Sequence, residues 1–446
     1  MNMPRATSKN VLKKKGSRLS SVPGIDFVQE AGGIFEYVLR ANGLRILLVP
    51  DDSVPVAGVM VTYHVGSRNE ATGYTGATHL LEHLMFKGSE KFNKESGTSL
   101  DALLESRGAI VNATTWFDRT NYYAVVPADS IHLPIEIEAD RMRTARITEA
   151  GRASEMPIVR NEYERGENRP LEALDKEMWS AAFLAHPYHH STIGWKSDIE
   201  GVSIERLNQF YDDFYWPNNA TVSVVGQFDE KGVLKLIQNE FGRHPKAPKP
   251  FPAMYTEEPP QQGQRRVIVK RAGTNMIGMA YKIPNALHAD IPALIVLANV
   301  LAGDNTSRLY RAFIDTAKGT EVYTDCYELR DPGLFLSYIE LAPKTGHAEA
   351  EKILVREYQL IKEKGITASE LVQAKRALRR AAANRHDGAY ALLSSLNEAL
   401  ATGNWKQFIT IPAAIALVSV ADVKRVAKRY LIEDQSTFGQ FVDTSV

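Results

Sequence analysis

At 446 residues, 44% of them hydrophobic and 24% charged, the chain is an ordinary soluble globular protein too long for one typical core, so about two to four domains are expected. Lys+Arg and Asp+Glu both number 53, which leaves no overall charge to attract nucleic acid or an anionic membrane, and a nucleic-acid partner is disfavoured. Cys326 is the only cysteine, so an intrachain disulfide and a Cys-based metal site are excluded, and no run of about 18 apolar residues predicts a membrane span.

The first 20 residues carry Arg5, Lys9, Lys13, Lys14, Lys15 and Arg18 with no acid and no apolar core, which argues against a secretory signal. Residues 1–30 read as a disordered basic tail, with a transit peptide as the alternative. Cytoplasm is the default location; an organelle or export would follow if the tail is a targeting segment. Residues 35–39 and 44–50 predict a hairpin around Ala41-Asn42-Gly43, and 54–65 predicts a long strand. Thr75 or Gly76 then opens a helix over 77–86 that stops at Gly88. A second helix, 99–107, ends at Gly108, and 109–115 with 121–126 form another strand pair. Segments 131–143 and 155–167 are helical and rich in acids, and a helix over 207–214 precedes a strand over 220–225.

Residues 244–263 are Pro-rich and weakly apolar, which neither a helix nor a central strand tolerates, so they read as an interdomain linker. The second half then repeats the plan of the first. Strands at 267–270 and 276–281 lead to an apolar helix over 291–301 stopped by Gly303, and 423–430 followed by 436–441 echoes 207–215 followed by 220–225. Counting back from Gly88 and Gly303, His79 faces Leu294, Glu82 faces Leu297 and His83 faces Ala298. The expectation is an α+β protein of two similar sandwich halves, 31–243 and 264–446, each a mixed sheet covered by helices. Only the first half carries chemistry.

That chemistry centres on His79-Leu80-Leu81-Glu82-His83. Successive helical residues rotate by about 100°, which puts His79, Glu82 and His83 on one face and turns the leucines elsewhere. Imidazoles four apart can chelate one zinc ion, and a carboxylate between them can reach a water on that ion. His-x-x-Glu-His is the inverted zincin order. In isolation it also fits an ordinary amphipathic helix. A catalytic zinc takes a third protein ligand, and residues 155–167 offer candidates. Glu155 and Glu162 are seven apart and share a face, while Glu164 and Glu167 point elsewhere and read as solvated salt-bridge partners of Arg160, Arg165 or Arg169. Spacing does not choose between Glu155 and Glu162.

On these residues the sequence resembles the inverted-zincin peptidases that include pitrilysin, insulysin and the mitochondrial processing peptidases, above all their short bacterial members. The resemblance extends over nearly the whole chain after residue 35 and includes Gly66-Ser67-Arg68-Asn69-Glu70, Phe86-Lys87-Gly88, Val111-Asn112-Ala113-Thr114-Thr115, Thr120-Asn121-Tyr122 and His186-Pro187-Tyr188. It implies that Glu162 is the third zinc ligand and that Glu155, seven residues earlier, supports the site from behind. It also implies that Asn112, Ala113 and Thr114 lie on an edge strand to which a substrate peptide adds. His189 and His190 read as surface loop residues.

The family's second half usually carries an Arg and, seven residues on, a Tyr that reach across to the active site. Tyr323 holds the Tyr place, but Thr316 stands where the Arg belongs, with Arg308 and Arg311 upstream. The resemblance thus implies a zinc endopeptidase acting on peptides or unfolded segments. It would hold one Zn²⁺ per chain on His79, His83 and Glu162, with Glu82 as general base. Its halves would close like a clamshell about residues 244–263, and it would work as a homodimer or with a related, inactive chain. The competing readings are a non-catalytic assembly subunit of the same fold and a peptide receptor without turnover.

Overall fold

The computed structural model describes residues 22–445. Most of the basic segment, residues 1–21, lies outside the described residues. The expected tail ends before residue 30, because Ile25–Ala31 forms strand β1 and pairs antiparallel with β2 (Ile34–Leu39). β1 is an edge strand with one buried residue, Ile25, so its sequence lacks the apolar alternation that announces a strand. Gly32 and Gly33, both at positive φ, make the turn.

Five further strands complete the first sheet: β3 (Arg45–Pro50), β4 (Val56–Tyr63), β5 (Ile110–Thr115), β6 (Thr120–Pro127) and β7 (Ala220–Gly226). Its order is β1-β2-β3-β7-β4-β6-β5. The second sheet contains β8 (Arg265–Arg271), β9 (Met276–Lys282), β10 (Gly319–Cys326), β11 (Leu334–Leu341) and β12 (Ser436–Asp443), in the order β10-β11-β9-β12-β8. In each half the strand that enters the sheet runs parallel to the one that closes it, β3 to β7 and β8 to β12, and every other pairing is antiparallel. The repeat read from two glycines is therefore a repeat of topology.

Both sheets are covered on both faces. Along β4, Val59, Val61 and Tyr63 point into a core shared with Leu80, Leu81 and Leu84 of the motif helix, Ala77–Leu84, while Met60 points to the opposite face. In the second half Ile277, Met279 and Tyr281 of β9 meet Leu294 and Leu297 of the apolar helix Ile291–Ala302 in the same way.

The remaining face of each sheet is covered by the other half. Helix Pro170–Ala182 lays Leu174 and Met178 on Met276, Ala280 and Phe441 of the second sheet. Helix Ala389–Ala401 lays Leu393 and Leu396 on Met60, Tyr123 and Val225 of the first. Glycines at the two crossings make room: a Cβ on Gly58 would stand 2.4 Å from Leu393 Cδ1, and one on Gly278 would stand 2.3 Å from Met178 Sδ. The halves are therefore interlocked, and the sequence boundaries at 244 and 263 do not bound separate packing units.

A polar network ties the same junction and bears on the hinge expected at 244–263. That segment holds neither helix nor strand. Its Glu258 nevertheless accepts backbone N–H groups of Leu184, Ala185 and His186 and pairs with Lys282. Asp331 of the second half accepts from Arg68 Nε at 2.5 Å and lies 3.0 Å from His186 Nε2 in the first. Beside it, Asp118 accepts from the Tyr188 hydroxyl at 2.8 Å and from the Arg330 amide at 2.9 Å.

Burial alone would raise the Asp331 carboxyl, but the hydrogen bonds from His186 and Arg68 prevail and hold it at about 2, against an ordinary 3.8. A depressed carboxylate contributes stability that is present above its unfolded value and is lost as pH falls through its folded one. Asp331→Asn should therefore lower the thermal midpoint at neutral pH and flatten the loss of stability between pH 4 and 2, read by thermal melts across that range.

Candidate active site

The motif helix begins without a side-chain N-cap. Gly76 sits at φ 84°, and a Cβ there would lie 2.3 Å from the Ile193 carbonyl oxygen. The orphaned amides of Gly76 and Thr78 are instead taken by the buried Glu70 carboxylate at 2.8 and 2.7 Å, an anion at the positive end of the helix dipole. His190 Nε2 lies 3.0 Å from the same carboxylate. His190, only 1% exposed, is thus a buried support of the motif helix rather than a surface loop residue, whereas His189 is half-buried.

From this anchored start the helix turns His79, Glu82 and His83 into a cleft of about 1000 Å³. Helix Glu149–Glu167 packs alongside and brings Glu162 to them. Glu162 Oε2 lies 3.6 Å from His79 Nε2 and 3.5 Å from His83 Nε2. Those separations are long for hydrogen bonds, and Glu162 Oε2 is buried without a hydrogen-bond partner among the described residues, as is His79 Nδ1. Ligands about 2.1 Å from one tetrahedral zinc stand about 3.4 Å apart. The three side chains form the metal-capable His/Cys/Asp/Glu cluster found among the described residues, so the donor set fits the ion.

Spacing left Glu155 and Glu162 open, and the structure separates them. Glu155 is 5% exposed, lies 2.9 Å from His83 Nδ1 and pairs with Lys87, which stands one turn after His83. This bond leaves His83 Nε2 to face the shared volume. Burial would raise the Glu155 carboxyl, but Lys87 and His83 together hold it below the usual glutamate range. Burial drives the His79 imidazole down to about 3, with His83 adding to the shift, so His79 is held in the neutral form a metal requires. The Glu82 carboxyl, 8% exposed, is pushed up by burial and partly restored by the Thr115 hydroxyl, which donates to Glu82 Oε2 at 2.5 Å.

Thr115 ends β5, whose Asn112, Ala113 and Thr114 line the same cleft. β5 is the edge of its sheet, so one row of its main-chain groups has no neighbouring strand. Sequence reasoning missed Thr115 and also Arg119. Arg119 donates to the Thr114 carbonyl and hydroxyl at 2.8 Å and reaches Glu398 of the exchanged helix at 2.5 Å, so the second half braces the edge strand. No sequence pattern announced this, because the partners lie 279 positions apart.

Other expectations are not met in the cleft. Tyr323 stands on β10, donates to Asp325 Oδ2 at 2.7 Å and lines a separate cavity with Asp175 and Tyr338. Arg308 is committed to Glu370 at 2.7 Å, and Thr316 donates to the Ala312 carbonyl at 2.7 Å. Glu167 is not solvated: it pairs with Lys176 and with Arg271 of the second half.

The family described as "Insulinase (Peptidase family M16)" matches residues 45–195, and its companion, "Peptidase M16 inactive domain", matches residues 201–378. The chain belongs to the M16 peptidase family. It is 28% identical over 408 residues to the "Zinc protease PqqE" of Helicobacter pylori, covering 90% of this chain and 91% of that one. It is 26% identical over 343 residues to the "Uncharacterized zinc protease YmxG" of Bacillus subtilis, covering 76% and 81%. A crystal structure of a Helicobacter pylori protease superposes with a TM-score of 0.88 at 26% identity, covering 92% of this chain and 99% of that one. A Pseudomonas fluorescens structure titled as a peptidase M16 inactive domain shares the fold at a TM-score of 0.82 and 14% identity, covering 93% and 98%. The M16 fold of two sheet-and-helix halves is thus the one built here.

Two outcomes follow from the geometry. Gly76→Ala should lose about 2–5 kcal/mol, combining a left-handed non-glycine residue with overpacking against Ile193, measured as a lower denaturant midpoint. Glu155→Gln should keep the fold and weaken zinc binding about 10–100-fold, measured by competition against a chelator.

Proposed function

We propose that this M16 chain is a zinc-dependent endopeptidase that hydrolyses peptides or unfolded segments. The observation that carries the reading is the convergence of His79, His83 and Glu162 at 3.5–3.6 Å beside the buried Glu82 and the free edge of β5. The names of the relatives, zinc proteases, support the choice of metal. The two imidazoles and the Glu162 carboxylate would hold the ion. Bound there, zinc supplies Lewis acidity and an activated water at neutral pH.

Glu82 does the proton work. Its carboxylate takes a proton from the attacking water and returns it to the leaving amine, a cycle that a carboxyl raised by burial performs nearer to neutral pH. Thr115 fixes one Glu82 oxygen and so leaves the other to move the proton. A substrate lies along Asn112, Ala113 and Thr114 as an added strand. Main-chain pairing of that kind demands an extended chain and little sequence, which selects peptides and unfolded segments over folded proteins.

The Arg–Tyr pair that the family brings to the site is not supplied by this chain's second half: Arg308 is taken by Glu370, and Tyr323 lines another cavity. We therefore assign that contribution to a second chain, a copy or a relative. A relative named "Probable mitochondrial-processing peptidase subunit beta" is 28% identical over 201 residues, 45% of this chain and 43% of that one.

The test compares wild type with Glu82→Gln for zinc content and peptide hydrolysis. The expected result is about one zinc on each protein and cleavage lowered about 10²–10⁴-fold in the variant. Wild type that takes no zinc overturns the metal assignment. Zinc-loaded wild type that cleaves nothing, alone or co-expressed with a related chain, overturns the peptidase reading.

A further inference from the structure

The second half contains, beside the counterpart of the metal cleft, a groove of different chemistry. The motif helix corresponds to Ile291–Ala302, and Glu149–Glu167 corresponds to Ala368–Asn384, the helix preceding the exchanged one in each half. Counted from their first residues, Glu162 falls on Ala381 and Glu155 on Ala374; counted back from Gly88 and Gly303, His79 and His83 fall on Leu294 and Ala298. Every metal-capable group has become apolar, and Leu294, Ala298 and Ala374 are buried; an open space lies beside them, between helix Ala368–Asn384 and helix Gln407–Leu417. It is a groove of about 400 Å³, within the ~300–1,000 Å³ usual for small-molecule sites. Ile295, Leu378, Ile411 and Ile415 form its floor, and Ala381 lines it.

Its rim is cationic. Lys375, Arg376, Arg379 and Arg385 line the groove, and among the described residues none of them is within ion-pair distance of a carboxylate. Residues 1–21 hold no Asp or Glu that could serve. Lys375 crosses the groove to the Ala416 carbonyl at 2.7 Å. Arg385 lies in the field of Glu328, but burial pushes that carboxyl up to about 7, which weakens it as a counter-charge. In a chain with equal numbers of acids and bases, four such cations around an apolar floor call for an anion with an apolar body.

We infer that this groove binds a single-chain amphiphilic carboxylate, a fatty acid, with its tail on the isoleucine floor and its head among Arg376, Arg379 and Arg385. Charge excludes two nearer occupants. A second copy meeting the same face would oppose cation to cation, and the N-terminal segment, with six Lys and Arg, is itself basic. The groove is long along one wall, Val372 to Arg385, about 20 Å of helix axis, and short along the other, Ile411 to Ala416, about 8 Å. Leu417, 84% exposed next to Ala416, and Val372, 48% exposed, extend the apolar lip at which a tail would enter.

The experiment titrates the full chain with dodecanoate below its micellar concentration, alongside dodecyltrimethylammonium and dodecanol. The expected result is one saturable dodecanoate site, at least about tenfold tighter than the cationic or neutral analogue. The double variant Arg376→Glu/Arg379→Glu should weaken it about tenfold or more with an unchanged thermal midpoint. Equal binding of all three amphiphiles, or unaltered dodecanoate affinity in a folded double variant, overturns the assignment. So does an acidic amphipathic peptide that displaces dodecanoate at a tenfold lower concentration, which would make the groove a protein-docking site. The comparison of the three amphiphiles on wild type decides the matter even if the double variant does not fold.

Discussion

An imidazole has two nitrogens, and a site that needs one of them must occupy the other. The contact between His83 Nδ1 and Glu155 does this, and the rest of the cleft is arranged around it. Glu155 is buried, so its charge has to be met, and Lys87 meets it from just beyond the end of the motif helix. The pair fixes the ring, the ring directs Nε2 toward Glu162, and the Glu162 oxygen is left buried without a hydrogen bond. An unsatisfied buried carboxylate oxygen beside two imidazole nitrogens is costly unless a cation joins it. The motif helix that carries the two imidazoles is in turn held at its start by Glu70, which His190 contacts from behind.

The two halves show how little a fold constrains its chemistry. Beyond the hairpin of β1 and β2, which the second sheet lacks, their sheets share one order and one pattern of parallel and antiparallel pairing. The motif helix and Glu149–Glu167 hold His, His and Glu where burial drives His79 toward neutrality; their counterparts hold Leu, Ala and Ala, beside a groove rimmed by cations. The second half still serves the first, since Glu398 holds Arg119 and Arg119 holds the edge strand. Support and chemistry are thus divided between copies of one architecture.

Much of this was legible in the sequence. The spacing of His79, Glu82 and His83 gave one helical face, Gly88 and Gly303 exposed the repeat, and the Pro-rich stretch, read as a linker, is the segment without helix or strand that leads into the second sheet. What stayed hidden was of two kinds. Strand β1 was missed because it is an exposed edge with a single buried residue, and the buried role of His190 because its imidazole faces the Glu70 carboxylate rather than water. Thr115, Arg119 and the Arg68–Asp331 pair were missed because each acts on a residue distant in sequence, and periodicity reports only on neighbours. Tyr323 was placed by analogy with a family pattern that Thr316 had already broken, and the structure puts it in another cavity.

The reciprocal crossing of helices Pro170–Ala182 and Ala389–Ala401 has a consequence for synthesis. A ribosome at about 5–20 residues per second completes the last strand of the first sheet well before Leu393 emerges. For that interval Met60, Tyr123 and Val225 present an apolar face to water, and the edge strand waits for Glu398 to brace it through Arg119. The half that carries His79, His83 and Glu162 is thus finished only when residues 389–401 of the other half have been made.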